Sequence, residues 1–191
     1  MKINYVTGLL TVALSLPTFA GQVYVGANVG QAQFKKATIS VSSIGSSSVS
    51  LNKSSFGGEL LAGYKFNDYL SIESSFGGYD AIDGNNASLG DMVYFAVQPK
   101  ISFPLNQMFS IYGKAGVSRF SAKGYYYYEQ IKASAITPKY SMGGEAKISK
   151  NLRLNAHLDY MAPEFKDNIQ GHDVKLKMDI MTLMVGVNYH F

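Results

Sequence analysis

Ten side chains in this sequence could do chemistry together: Glu59, Lys65, Glu73, Lys100, Lys114, Glu145, Lys147, Arg153, His157 and Asp159. Five are basic, four are acidic, and His157 is the tenth. The nearest approach to a catalytic spacing is His157-Leu158-Asp159. On an extended chain residues two apart share a face, so the imidazole could act as a base beside a carboxylate. Nothing completes the site. Asp159 stands where a His-x-Ser hydrolase pair needs serine, and no Asp-Ser dipeptide occurs anywhere in the chain. There is no Cys, and the three His are scattered, which argues against a transition-metal site. Gly57-Gly58, Gly77-Gly78 and Gly143-Gly144 fall inside strand-like runs, where packing or bulging explains them better than phosphate binding. The ten residues are therefore expected to pair with one another as an interior polar network, with no catalytic residue, no metal and no cofactor.

Such a network needs elements that turn one face inward. The chain has 191 residues, 16% charged, with 19 Gly, 14 Tyr, 11 Phe and no Trp. Charge is below the ~25% of ordinary soluble proteins. The formal net charge of +4 is spread along the chain without Lys/Arg runs, so a nucleic-acid partner is not expected. Met1 to Ala20 reads as a secretory signal peptide: Lys2, an apolar stretch from Val6 to Leu16, and small residues before a cleavage point after Ala20. The remainder, 21–191, reads as one domain that works outside the cytoplasm.

Eight segments of that domain alternate with period two, as strands do. The first runs from Gln22 to Gln31, with Val23, Val25, Ala27 and Val29 on one face. The others centre on 56–66, 70–76, 92–103, 109–118, 139–148, 152–160 and 181–191. Connections alternate in length. Those at 36–55, 80–91, 121–136 and 161–176 are long, whereas those at 67–69, 104–107 and 149–151 are short. The Ser-rich 36–55 stretch keeps its own period and reads as a hairpin continuing beyond the apolar zone. Pro99 interrupts the fourth segment, where a bulge or local break is expected.

One parity of these segments collects the charges and the other is almost free of them. Eight strands enclose only enough room for side chains. A soluble lipocalin-like binder would put its aliphatic face inside. A charged inside and an apolar outside is simplest in lipid, with buried charges tolerated because they are paired. Aromatics fall at both ends of the apolar zone. Phe66, Tyr69, Phe103, Phe109, Tyr189 and Phe191 lie at the short-turn end, and Phe56, Phe76, Tyr94, Phe95, Tyr140 and Tyr160 at the long-loop end. Two such belts are expected at the two membrane interfaces. The expected fold is all-β: an eight-stranded antiparallel up-and-down transmembrane β-barrel.

The signal peptide, eight strands, charged interior and terminal Tyr189-His190-Phe191 resemble the small Gram-negative outer-membrane barrels of the OmpA transmembrane domain, OmpX/Ail and opacity-protein group. The resemblance covers 21–191 and implies an integral outer-membrane location. It implies partners as well: membrane lipid and lipopolysaccharide, the barrel assembly machinery reading Gly186, Tyr189 and Phe191, and a host-cell or other extracellular ligand on the loops. Lipid A-modifying barrels of the PagL and PagP types are similar in size, but their His-x-Ser and Asp-Ser elements are missing here. The expected role is structural or surface interaction (adhesion, host contact or envelope protection), with a small porin or channel as the alternative. Tyr125, Tyr126, Tyr127 and Tyr128 are the candidate surface contacts; equally, the run can extend the fifth and sixth strands above the bilayer with alternate tyrosines packed. His172 and His190 are expected to be solvated or interfacial.

Overall fold

The computed structural model describes residues 21–41, 45–83, 88–126, 129–169 and 172–191. Ten strands occur among them: β1 (Gln22–Val41), β2 (Gly45–Lys65), β3 (Leu70–Tyr79), β4 (Ile82–Asp83), β5 (Ser88–Pro104), β6 (Phe109–Tyr126), β7 (Glu129–Lys147), β8 (Leu152–Met161), β9 (Glu164–Ile169) and β10 (His172–His190). The two short strands, β4 and β9, extend the rim on β5 and β10. The other eight pair in sequence order, and β1 closes on β10, so the sheet is an antiparallel barrel.

Closure is in register from Tyr24↔His190 through Asn28↔Gly186 to Phe34↔Ile180. It depends on small inward residues. A Cβ on Gly186 would collide with the Ala27 carbonyl and the Asn28 side chain.

The three short turns share one construction. Phe66 N, Leu105 N and Ile148 N each bond the carbonyl four residues on, at 2.9 Å. The next residue then caps the turn. Asn67 Oδ1 accepts from Tyr69 N and Leu70 N, Asn106 Oδ1 from Met108 N and Phe109 N, and Ser149 Oγ from Asn151 N and Leu152 N. These are the local side-chain bonds that make Asn and Ser turn residues.

The long connections are mostly strand. β1 and β2 run 20 and 21 residues and β6 and β7 run 18 and 19, against 10 each for β3 and β8. A tilted strand needs only ~9–11 residues to span a bilayer. Half of each long hairpin therefore stands beyond the apolar zone. The stretch 121–136, given as a long loop, is ladder wherever it is described, which agrees with the alternative that it extends the two strands.

At Pro99 the structure shows the local break and not the bulge. β5 passes through it without a register shift: Val97↔Val117 and Lys100↔Lys114 keep one register, and only the pairing to β6 lapses at Gln98 and Pro99. The ring faces outward and Ile72 remains its partner on β3, so the missing donor costs one gap and no bulge. The bulges lie higher, between Phe34 and Lys36 and between Gly90 and Met92.

Candidate functional site

The barrel wall sorts its side chains by parity. Val25, Val29, Leu60, Phe76, Val117, Leu183 and Val185 face outward and are exposed, as a lipid-facing band is. The short-turn belt is exposed as expected at Phe66, Tyr69, Phe103, Phe109, Tyr189 and Phe191. The opposite belt holds Phe56, Phe76, Phe95, Tyr140 and Tyr160. Tyr94 does not belong to it. Its parity turns it inward, where it is 1% exposed and donates to Glu59 Oε2 at 2.9 Å.

Inside, the barrel has three layers. The middle layer is ionic. Glu73 holds Lys100 at 3.0 Å and Lys114 at 2.9 Å, and accepts a 2.7 Å bond from Tyr24 OH. Glu145 holds Lys100 at 2.9 Å and accepts from Asn188 Nδ2 at 3.0 Å, with Arg153 at 3.5 Å. Glu59 holds Lys139 at 2.7 Å and accepts from Asn28 Nδ2 at 2.9 Å. Lys139 also lies 3.0 Å from Asp159, whose other oxygen is 3.5 Å from His157 Nε2. The ammoniums of Lys100 and Lys139 sit over the rings of Tyr112 and Tyr94, at 4.1 and 4.5 Å.

Glu59, Glu73, Lys100, Lys114, Glu145, His157 and Asp159 are thus gathered inside. The other three of the ten named residues sit at the short-turn mouth. Lys65 bridges Asp68 at 2.6 Å in the first short turn, Arg153 is half-buried at the mouth, and Lys147 is exposed on the rim. Lys139 was passed over, although its alternation with Ser141 and Glu145 puts it on the same face. The inner tyrosines were also missed. Tyr24, Tyr79 and Tyr94 lie over Gly63, Gly57 and Gly77, their cross-strand partners. A glycine opposite each ring makes room in a barrel this narrow, so the Tyr/Gly cross-strand pairs were the available signal.

Above the ions the interior becomes apolar. Phe34, Met92, Phe120, Met161, Met178 and Ile180 are each 2% exposed or less, and Phe165 closes against Phe120 at 6.2 Å between centroids. Outside this layer stand Lys35, Lys36, Lys175 and Lys177, all exposed. The polarity of the wall therefore inverts along the barrel axis. It is apolar outside and charged inside at membrane level, then polar outside and apolar inside beyond it.

The third layer, at the short-turn mouth, is a vestibule of about 240 Å³ whose lining includes Lys65, Lys147, Arg153 and His190. His190, expected to be solvated or interfacial, lines this mouth but is not solvated. It is 3% exposed and stacks on Tyr24 at 4.7 Å. Tyr125 and Tyr126 end β6, Tyr127 and Tyr128 lie outside the described residues, and His172 begins β10.

No group of three or more His, Cys, Asp or Glu suited to a metal occurs among the described residues. His157 and Asp159 face the barrel axis rather than lipid, and Lys139 sits beside Asp159.

A closed barrel with a lipid-facing apolar band, two aromatic belts and an ion-paired interior is an integral outer-membrane β-barrel protein. The chain belongs to the outer membrane protein beta-barrel domain family, whose model matches residues 6–191. It is 28% identical over 133 residues to the attachment invasion locus protein of Yersinia enterocolitica, covering 67% of this chain and 68% of that one. Its fold is similar to Neisserial surface protein A (TM-score 0.66, 19% identity, 88% of this chain and 97% of that one). It is also similar to Ail of Yersinia pestis in complex with the heparin analogue sucrose octasulfate (TM-score 0.53, 22% identity, 89% and 99%).

Proposed function

We propose that this barrel is a membrane platform for surface interaction, with a plugged interior and binding carried by its outer hairpins. The observation that supports it most is the excess strand: β1–β2 and β6–β7 continue far beyond the length that spans a bilayer, over an apolar interior layer. Ladder-paired hairpins are a rigid scaffold for recognition, which lowers the entropy cost of binding. The similarity to an attachment protein agrees. The exposed Lys35, Lys36, Lys175 and Lys177 lie on paired strands β1 and β10, so a sulfated glycan is the first ligand to test. Trimming 36–50 and 121–134 to short turns should abolish attachment to host cells and immobilised glycans. The barrel should still migrate differently before and after boiling on a denaturing gel. Undiminished attachment by the trimmed barrel would refute the reading.

The same layers support the plug. The ionic middle and apolar cap among the described residues support a filled interior, so planar-bilayer recording should show no discrete conductance; regular single-channel steps would favour a pore.

Three partners of the envelope complete the proposal. Arg119, exposed on the outer wall beside Phe95 and Ile136, is placed to meet lipopolysaccharide phosphate. R119Q should lower lipopolysaccharide retention during purification, and equal retention would count against it. Gly186 with the outward Tyr189 and Phe191, whose rings meet edge-on at 5.2 Å, serves the assembly machinery. Y189A should slow assembly in cells, and wild-type rates would remove that role. Residues 1–20, outside the described residues, act as the export signal, which an intact mass beginning at Gly21 would verify and one retaining them would reject.

A further inference from the structure

The short-turn vestibule has properties that membrane anchoring does not require. Its lining carries four cations, Lys65, Lys100, Lys147 and Arg153, against two carboxylates, Asp68 and Glu145. Lys147 and Arg153 are direct cross-strand partners, an arrangement of like charges that destabilises a sheet unless something lies between them. Lys147 makes no ion pair among the described residues. Arg153 has only one long contact, to Glu145 at 3.5 Å, and its buried Nε has no hydrogen-bond partner. The guanidinium therefore keeps most of its donor fork unused.

His190 gives the vestibule a second, different unmet group. Its ring is clamped by the Tyr24 stack, and Nδ1 lies 3.3 Å from Gln22 Oε1. An amide oxygen only accepts, so Nδ1 carries the proton and Nε2 presents a lone pair. That Nε2 is buried and unpartnered. The vestibule thus offers unused cationic donors and one unused acceptor on a residue that is 97% buried. At about 240 Å³ it holds a tetrahedral oxyanion with several waters, each needing about 30 Å³.

We propose that this vestibule binds hydrogen phosphate, free or as the singly protonated monoanion of a phosphomonoester. Arg153 and Lys147 hold the anionic oxygens, Lys65 adds charge from the facing strand, and the remaining P–OH donates to His190 Nε2. Sulfate and phosphodiester headgroups have no such hydroxyl and leave the acceptor unpaired. In the orientation of outer-membrane barrels the short turns face the periplasm, so the ligand comes from that compartment.

The test uses the whole folded barrel in a nonionic detergent, titrated with inorganic phosphate, glycerol phosphate and sulfate by calorimetry and by the His190 ring ¹⁵N resonances. Saturable one-to-one phosphate binding is expected, with sulfate at least ~10-fold weaker, equivalent to ~1.4 kcal/mol. R153Q should weaken phosphate ~10-fold or more. K147Q, on the exposed rim where folding is not at stake, should weaken it by a smaller factor, and H190F should keep the stack but erase the preference over sulfate. Glycerol phosphate matching phosphate would identify the phosphomonoester as an accepted source, and exclusion of glycerol phosphate would restrict the site to the free ion. Absent saturation, equal affinity for sulfate, or unchanged binding in both K147Q and R153Q would overturn the proposal. So would a His190 shift produced by phosphatidylglycerol nanodiscs alone, because a diester cannot make the assigned bond.

Discussion

Lys139 Nζ lies 2.7 Å from Glu59 Oε2 across 80 residues of sequence, and neither side chain is exposed to solvent. The pair ties β7 to β2 through the barrel axis, and Asp159 on β8 joins it at 3.0 Å. Removing one member of a buried pair strands its partner charge, at a cost of about 3–5 kcal/mol. K139M should show that loss in urea unfolding from lipid vesicles. Adding E59Q should recover part of it by removing one stranded carboxylate. A K139M barrel within ~1 kcal/mol of the parent would show that the ions are solvated after all.

The apolar cap makes a separate demand. Phe34 is fully buried and meets Tyr79 edge-on at 6.1 Å. F34A should destabilise the folded barrel by about 3–5 kcal/mol through lost burial and the cavity left behind. F56A, at an outward position 58% exposed, removes an equal volume from the lipid side and should cost less. Equal losses in a paired unfolding measurement would place Phe34 outside the core.

The outward band can be probed at one point midway between the belts. Val185 is 51% exposed, pairs with Val29, and sits four residues from both Met181, level with Tyr160, and Tyr189. V185R should cost about 2–4 kcal/mol in bilayers, as a cation near the midplane does. In detergent micelles that can deform around it, the loss should shrink. A neutral effect in bilayers would mean that this surface does not face lipid.

The sequence exposed some of this design and hid the rest for a physical reason. At membrane level the outside must be apolar, so Leu183, Val185 and Val187 against Thr182, Gly186 and Asn188 showed both strand and facing. Past the membrane that rule reverses. Phe34, Phe120 and Phe165 lie in or beside stretches read as polar connections, and they point inward because water, not lipid, surrounds the wall there. The bulge between Phe34 and Lys36 also shifts the β1 register just where the reversal begins. A single assignment of faces therefore could not describe the whole of a long strand. Lys139 is a different case: alternation with Ser141 and Glu145 sets its face, but it follows Pro138 at the start of its segment, and the register to Met161 and Gly116 is what sets its level in the barrel. The vestibule was not legible because Lys65, Lys147, Arg153 and His190 come from four strands, and convergence at one mouth is a property of closure.

The cap of Phe34, Phe120 and Phe165 completes the barrel's burial below the hairpin tips. Exposed positions outside such a core carry little of the folding energy and accept substitution readily. Change at the exposed outer positions of β1 and β10 therefore need not disturb the membrane-embedded wall.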